Sequence, residues 1–230
     1  IVDLANYIMF DTGQPLHTFD YDKLNGDTIE VRSAKHNEQI LCLNKELNKL
    51  TKEDIVIADS KGPIAIAGVI GGFDTQVDKK TTNILLESAV FNEINVRKTS
   101  KKYDYEKEAS KRFERGVDYD NVIYVMDKFT KLLIDIAGGE ASKDYVDVKA
   151  GKKNIKIINF NIKDCNAFLG LNLNSNQYDN LFSKLSINTD YKKDNFKCKI
   201  PSYRNDLDRE IDLYEEIARV FGYDNIPISK

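Results

Sequence analysis

The sequence has no close cysteine pair, no long apolar run, no net positive charge and no repeat, and each absence removes a class of protein. Cys42, Cys165 and Cys198 are odd in number and widely separated, so the short spacings of zinc and redox sites are missing. The three read as reduced, structural thiols of a cytoplasmic protein. No apolar run approaches the roughly 20 residues of a membrane span, and the opening Ile1-Val2-Asp3-Leu4 lacks the basic start and small-residue cleavage site of a secretory signal. No membrane partner is expected. A net charge of -3 excludes a chain that holds nucleic acid by its overall charge, so any RNA contact has to come from a local patch. No Ser-His-Asp or Cys-His arrangement marks a covalent nucleophile. The chain also lacks an initiator Met, which fits a piece of a longer polypeptide.

What is present is enough for a real core. With 230 residues, 41% of them hydrophobic and 31% charged, the chain reads as a soluble globular protein of two domains. The stretch to start from is residues 63–72, where Ile64, Ile66, Val69 and Ile70 favour an extended backbone and Gly71-Gly72 permits a turn or a close approach. On the residues alone it is a buried core strand ending in a glycine turn. Before it, residues 4–10 form an apolar segment, and Gly13 and Pro15 make residues 13–20 an ordered loop. β-Propensity rises over residues 28–32, 40–43 and 54–59. Residues 81–90 repeat the pattern, with Glu87 directly after Ile84-Leu85-Leu86, an expensive place for a charge unless it is paired or used.

Helical patterns follow over 93–102, 106–115 and 121–137. In the last, Val122, Val125, Met126, Phe129, Leu132 and Leu133 recur every three or four residues before Gly138-Gly139. Residues 144–156 are polar and weakly patterned, which puts a domain boundary near residue 150. Beyond it come a strand over 155–160, short helices over 162–169 and 178–185, a strand over 196–200 and a helix over 207–221.

Several motifs in order carry a family resemblance. They are Val2-Asp3-Leu4-Ala5-Asn6-Tyr7, then Gly13-Gln14-Pro15-Leu16-His17-Thr18-Phe19-Asp20, Ala67-Gly68-Val69-Ile70-Gly71-Gly72 and Leu85-Leu86-Glu87-Ser88-Ala89. Next come Glu108-Ala109-Ser110-Lys111-Arg112-Phe113-Glu114-Arg115-Gly116 and Pro201-Ser202-Tyr203-Arg204-Asn205-Asp206, and finally Glu215-Glu216-Ile217-Ala218-Arg219-Val220-Phe221-Gly222. The chain resembles the beta subunit of bacterial phenylalanyl-tRNA synthetase, over its B3/B4 region and its B5 domain. The resemblance implies an α+β fold: a mixed-sheet B3/B4-type editing domain over residues 1–150 and a small α+β B5-type domain over 151–230.

The same resemblance implies a class II aminoacyl-tRNA synthetase of alpha2beta2 composition, cytoplasmic, in which the alpha subunit charges tRNA(Phe). ATP serves that whole enzyme and is not bound by this stretch. The part in hand corresponds to the module that hydrolyses tyrosine wrongly esterified to tRNA(Phe). A largely apolar synthetic pocket rejects an added hydroxyl by only about a hundredfold. A second site that offers the phenol a buried partner inverts the problem, because phenylalanine leaves that partner unsatisfied, worth roughly 10^4 in discrimination. By position in the motifs, Glu87 is that partner, and His17 places the acceptor end or the attacking water with Asn6 adjoining it. Gly68, Gly71 and Ala109 leave room for the aromatic ring, and Lys107 belongs to the pocket lining. The ester is then attacked by water held in position rather than by a protein nucleophile.

Two departures remove a hydroxyl each: Ala5 and Lys107 stand where relatives often carry Thr. They leave a rival reading, a non-catalytic scaffold for the alpha subunit and tRNA. The basic residues between Arg97 and Arg115 offer a path for an RNA 3′ end. Asp206, Asp212, Glu215 and Glu216 match the family's magnesium ligands, and hard carboxylate oxygens suit Mg2+. That site is shared with the alpha subunit in the family, so weak binding is expected here. A free-standing metal hydrolase is disfavoured because these acids lie in the other domain from the pocket motifs.

Overall fold

The structure, a computed structural model, describes residues 1–149 and 155–227. The polar stretch at Gly151, Lys152 and Lys153, and the boundary expected near residue 150, lie outside the described residues. Backbone contacts divide the chain into two units, Ile1–Tyr145 and Val146–Lys230.

In chain order the first unit runs α1 (Val2–Thr12), β1 (Leu16–Asp20), β2 (Glu30–Ser33), β3 (Gln39–Leu41), β4 (Leu47–Lys49), β5 (Ile55–Ala58), β6 (Pro63–Ile66), β7 (Ile70–Gly71), β8 (Ile84–Ser88), α2 (Glu93–Lys102), α3 (Glu108–Phe113) and α4 (Val122–Ala137). The second runs β9 (Ile157–Asn161), α5 (Ile162–Leu169), α6 (Ser175–Lys184), β10 (Asn188–Lys192), β11 (Asn195–Lys199) and α7 (Glu210–Phe221). The α+β class is as expected. The sheets, expected to be mixed, are antiparallel at every pairing among the described residues.

Residues 13–20 are not a loop throughout. Gly13, at φ 78°, ends α1 by donating its N–H to Met9 O. The chain then enters β1, which pairs with β8 in an antiparallel ribbon. The two faces of that ribbon explain its apolar run. Leu16, Ile84 and Leu86 pack under α1 and α4 against Ile8, Val125 and Phe129. Phe19 and Leu85, on the opposite face, join the main core. A ribbon covered on both sides needs apolar residues at consecutive positions.

Residues 63–72 form a hairpin rather than one strand. Gly68, at φ +70°, lets β6 turn back so that β7 pairs with it, Ala65 opposite Gly71. A Cβ at Gly72 would lie 2.5 Å from the Ile64 carbonyl oxygen, so only glycine allows the strands to close, and Gly72 N–H donates to that oxygen at 2.7 Å. The far side of β7 receives the β3–β4 hairpin through Leu43 N–H to Gly71 O (3.0 Å) and Phe73 N–H to Leu41 O (2.8 Å).

The second unit wraps the three-stranded sheet β10-β11-β9 around an aromatic core in which Phe160 meets Tyr178, Phe182, Phe196 and Tyr214 at ring separations of 5.0–6.1 Å.

In the first unit, Asp54 is 1% exposed and ties α2 to the chain before β5. It accepts from Thr51 N–H (2.8 Å), Thr99 Oγ1 (3.0 Å), Lys102 Nζ (2.7 Å) and Tyr103 OH (2.8 Å). Asp54→Ala orphans these donors, and we expect a loss of about 3 kcal/mol in urea unfolding. A loss within the usual range of surface substitutions would show that the knot holds nothing.

Candidate functional site

The register of the β1·β8 ribbon sets His17 directly opposite Glu87. Strand alternation aims both away from α1 and α4, on the face that carries Phe19 and Leu85. His17 meets the Phe19 ring edge-on at 4.5 Å. Beneath it lies β7: a Cβ on Gly71 would sit 2.6 Å from His17 Cε1 and 2.7 Å from Nε2. The imidazole therefore rests on the bare Gly71 backbone, and a methyl there would push it out of place. Gly68 serves the turn and the core packing, its missing side chain pointing at Phe91, Val96 and Phe113.

These elements enclose a cleft of about 420 Å³, within the range of small-molecule sites. Every residue assigned to the pocket from the motifs lines it: Asn6, His17, Gly68, Gly71, Glu87, Lys107 and Ala109. Three further polar groups line it that the motifs did not assign, Thr18, Gln76 and Glu108, as do the apolar walls Val2, Met9, Leu16, Leu43, Val77 and Phe113. Glu108 stands inside a recognised motif and was there to be found. Leu43 and Gln76 arrive through tertiary pairing, on the β3–β4 hairpin and in the chain after β7, and nothing local marks them. Ala109 and Lys107 are held by Ser110, whose Oγ accepts from Lys107 N–H (2.9 Å) and donates to Tyr105 O (3.1 Å).

His17 and Glu87 keep partial access to solvent through the cleft mouth, yet protein surrounds both closely enough to strip most of their hydration. Desolvation raises the Glu87 carboxyl from the ordinary 4.5 to about 7 and lowers the His17 imidazole to about 4. Neither side chain has a hydrogen bond or ion pair among the described residues. Near neutrality the imidazole is uncharged and the carboxyl is shared between its two forms. The cleft thus offers an apolar box with one unpartnered carboxyl and one neutral imidazole.

The four acids expected to hold Mg2+ do not converge. Asp206 is gripped by Arg204 (Nε to Oδ1 2.9 Å, NH2 to Oδ2 2.7 Å). Glu216 accepts from Arg204 at 3.0 Å and from Arg219 at 2.6 Å. Asp212 accepts the N–H groups of Asp208 (3.0 Å) and Arg209 (2.8 Å) and pairs with the Arg209 guanidinium at 2.9 Å. These bonds hold its carboxyl down at about 2. Glu215 faces solvent while Glu216 is buried. Among the described residues no three His, Cys, Asp or Glu side chains gather at one point. As arranged, the donor set does not fit Mg2+, because arginines already neutralise three of its four acids, Asp206, Asp212 and Glu216.

The B3/4 domain family model matches residues 1–138, and the tRNA synthetase B5 domain model matches residues 158–223. The chain is 38% identical over 231 residues to the phenylalanine–tRNA ligase beta subunit of Desulfotalea psychrophila, covering 99% of this chain and 28% of that protein. It is 42% identical over 228 residues to the same subunit of Protochlamydia amoebophila, with the same shares. A crystal structure of an N-terminal fragment of the phenylalanyl-tRNA synthetase beta subunit from Pyrococcus horikoshii aligns with a TM-score of 0.48 at 17% identity, over 96% of this chain and 65% of that one. The chain belongs to the phenylalanine–tRNA ligase beta-subunit family, as its motifs indicated, and spans just over a quarter of the length of the curated relatives it matches.

The shifted groups make stability depend on pH in opposite senses. Glu87, with a folded value of about 7 against 4.5, keeps a proton that the unfolded chain has lost, so it costs stability as pH rises from 4.5 and most above 7. His17, at about 4 against 6.5, costs stability as pH falls from 6.5 toward 4. Glu87→Gln removes only the first effect. We expect the variant to match the parent near pH 4 and to exceed it by on the order of 2 kcal/mol above pH 7; a pH-independent difference in urea midpoints would refute the burial of this carboxyl. Calorimetric titration of the chain with MgCl2 should give no saturable heat, and a tight one-site isotherm would mean that the arginines release their acids.

Proposed function

We propose that the cleft is an editing site that hydrolyses tyrosine esterified to the 3′ end of tRNA(Phe), as part of an enzyme completed by an alpha subunit. The observation that carries this reading is the gathering of Asn6, His17, Gly71, Glu87, Lys107 and Ala109 at one apolar cleft around a carboxyl with no partner. A cleft of about 420 Å³ suits an amino-acid side chain together with its ester. The phenol of tyrosine satisfies Glu87: it donates to the carboxylate, or accepts from the neutral acid. Phenylalanine, lacking the hydroxyl, leaves the carboxyl unpaired in an apolar box, and its binding is weaker by that penalty.

Water attacks the ester carbonyl. A proton acceptor with a value near 4 is a poor general base at neutral pH. His17 therefore acts through its place, holding a water or the ribose hydroxyl by an uncharged ring nitrogen, and the rate comes mainly from positioning. Lys107, exposed and without an ion pair among the described residues, supplies a cation at the cleft wall for the phosphate of the RNA end. Aminoacylation and its ATP fall to the alpha subunit on this reading, the site of action is the cytoplasm, and Mg2+ takes no part in the cleft.

The test is deacylation by the reconstituted alpha2beta2 enzyme carrying this sequence, with Tyr-tRNA(Phe) and Phe-tRNA(Phe) as substrates. Tyrosine should be released selectively, and Glu87→Ala should cut its kcat/KM by at least about a hundredfold with little effect on the slow release of phenylalanine. Equal slow release from both tRNAs would sink the reading and leave a scaffold, the outcome that Ala5 and Lys107, each without the hydroxyl of many relatives, would then explain.

A further inference from the structure

We propose that Phe10, backed by Arg112, is a stacking platform for the terminal nucleobase of the RNA whose ester enters the cleft; the inference rests on the editing reading above. An amino acid esterified to the terminal ribose lies within one nucleotide of its base. With the acyl group inside the cleft, the base has to lie at the mouth.

Two helices wall the cleft. α1 contributes Val2, Asn6 and Met9, and α3 contributes Glu108 and Ala109. One helical turn beyond Asn6 stands Phe10, and one turn beyond Glu108 stands Arg112. These two side chains meet: the guanidinium carbon sits 4.9 Å from the Phe10 ring centroid. The walls touch at the rim through a cation–π contact.

Phe10 is 63% exposed and joins no core cluster. The ring stays 63% exposed with the guanidinium over it, which leaves area for a base to stack as on the aromatic platforms of single-strand readers. The guanidinium is held in place, donating from NH1 to the Glu108 carboxylate (2.7 Å) and carbonyl (2.9 Å). Lys107 at the cleft wall and Lys111 beside Arg112 add positive charge where the phosphates preceding that nucleotide would run. An exposed aromatic backed by a fixed cation, beside cations and at the mouth of an acyl-sized cleft, matches a nucleoside ester better than a protein partner.

The chain contains no tryptophan, so Phe10→Trp adds a single indole reporter at an exposed position. The probe is 3′-deoxy-3′-(L-tyrosylamino)adenosine, an amide in place of the ester. It should quench the introduced indole saturably, and Phe10→Ala should weaken its affinity about tenfold in competition. The same tyrosyl amide on a ribose without a base should bind parent and Phe10→Ala alike. Equal affinity of the adenosine probe for parent and Phe10→Ala, or equal quenching with and without the base, would overturn the proposal. Deacylation separates it from the reading beneath it. Base-dependent quenching in a chain whose reconstituted enzyme releases no tyrosine keeps the platform and removes editing. Tyrosine release with an unchanged KM in Phe10→Ala keeps editing and removes the platform.

Discussion

The candidate site depends on one steric constraint, the contact between the bare backbone of β7 and the side-chain face of the β1·β8 ribbon. The His17 ring lies where a Cβ on Gly71 would be, and the carbonyl of Ile64 lies where a Cβ on Gly72 would be. Because the two glycines let three layers of backbone and ring come together, the ribbon can present its His17–Glu87 pair at the floor of a narrow space instead of over open solvent. The close fit also explains the electrostatics. Groups set among a ribbon, a hairpin and two helices lose most of their hydration, and that desolvation moves the Glu87 carboxyl up and the His17 imidazole down.

Such a site costs the fold something. An unpartnered carboxyl in an apolar setting destabilises the native state whenever it ionises, and a structural role offers no reason to keep it. The first unit shows how a buried acid is treated when structure is its purpose: Asp54 collects donors from Thr51, Thr99, Lys102 and Tyr103. Glu87 collects none. The contrast within one domain is what supports the proposal that Glu87 serves a group arriving from outside. Asp206, Asp212 and Glu216 belong with Asp54 in this respect, each already met by an arginine or a backbone N–H.

Elements whose partners are local or whose pattern is strong were legible in the sequence. The helix over residues 93–102 coincides with α2, that over 162–169 with α5, and the three-and-four spacing of Val125 and Phe129 marked α4. β1 was missed because its partner β8 lies some seventy residues away and Gly13 and Pro15 dominate the local signal. β4 and β10 are exposed at most positions, so they carry no alternation to read. Of the candidate site, the motifs delivered the residues that line the cleft but not their roles in space. The direction in which Gly68 points follows from its φ of +70°, and the sequestration of Asp206 and Glu216 follows from where Arg204 reaches. Neither is written in spacing.

Helix α1 forms one wall of the cleft through Val2, Ala5, Asn6 and Met9, while Ala5 and Ile8 pack with Val125 and Phe129 of α4 beneath the ribbon. One helix is thus shared between a core and a binding surface. A substitution at the buried α4 positions that shifts the seat of α1 also displaces a wall of the cleft, so the width of the site is set partly by residues that do not line it.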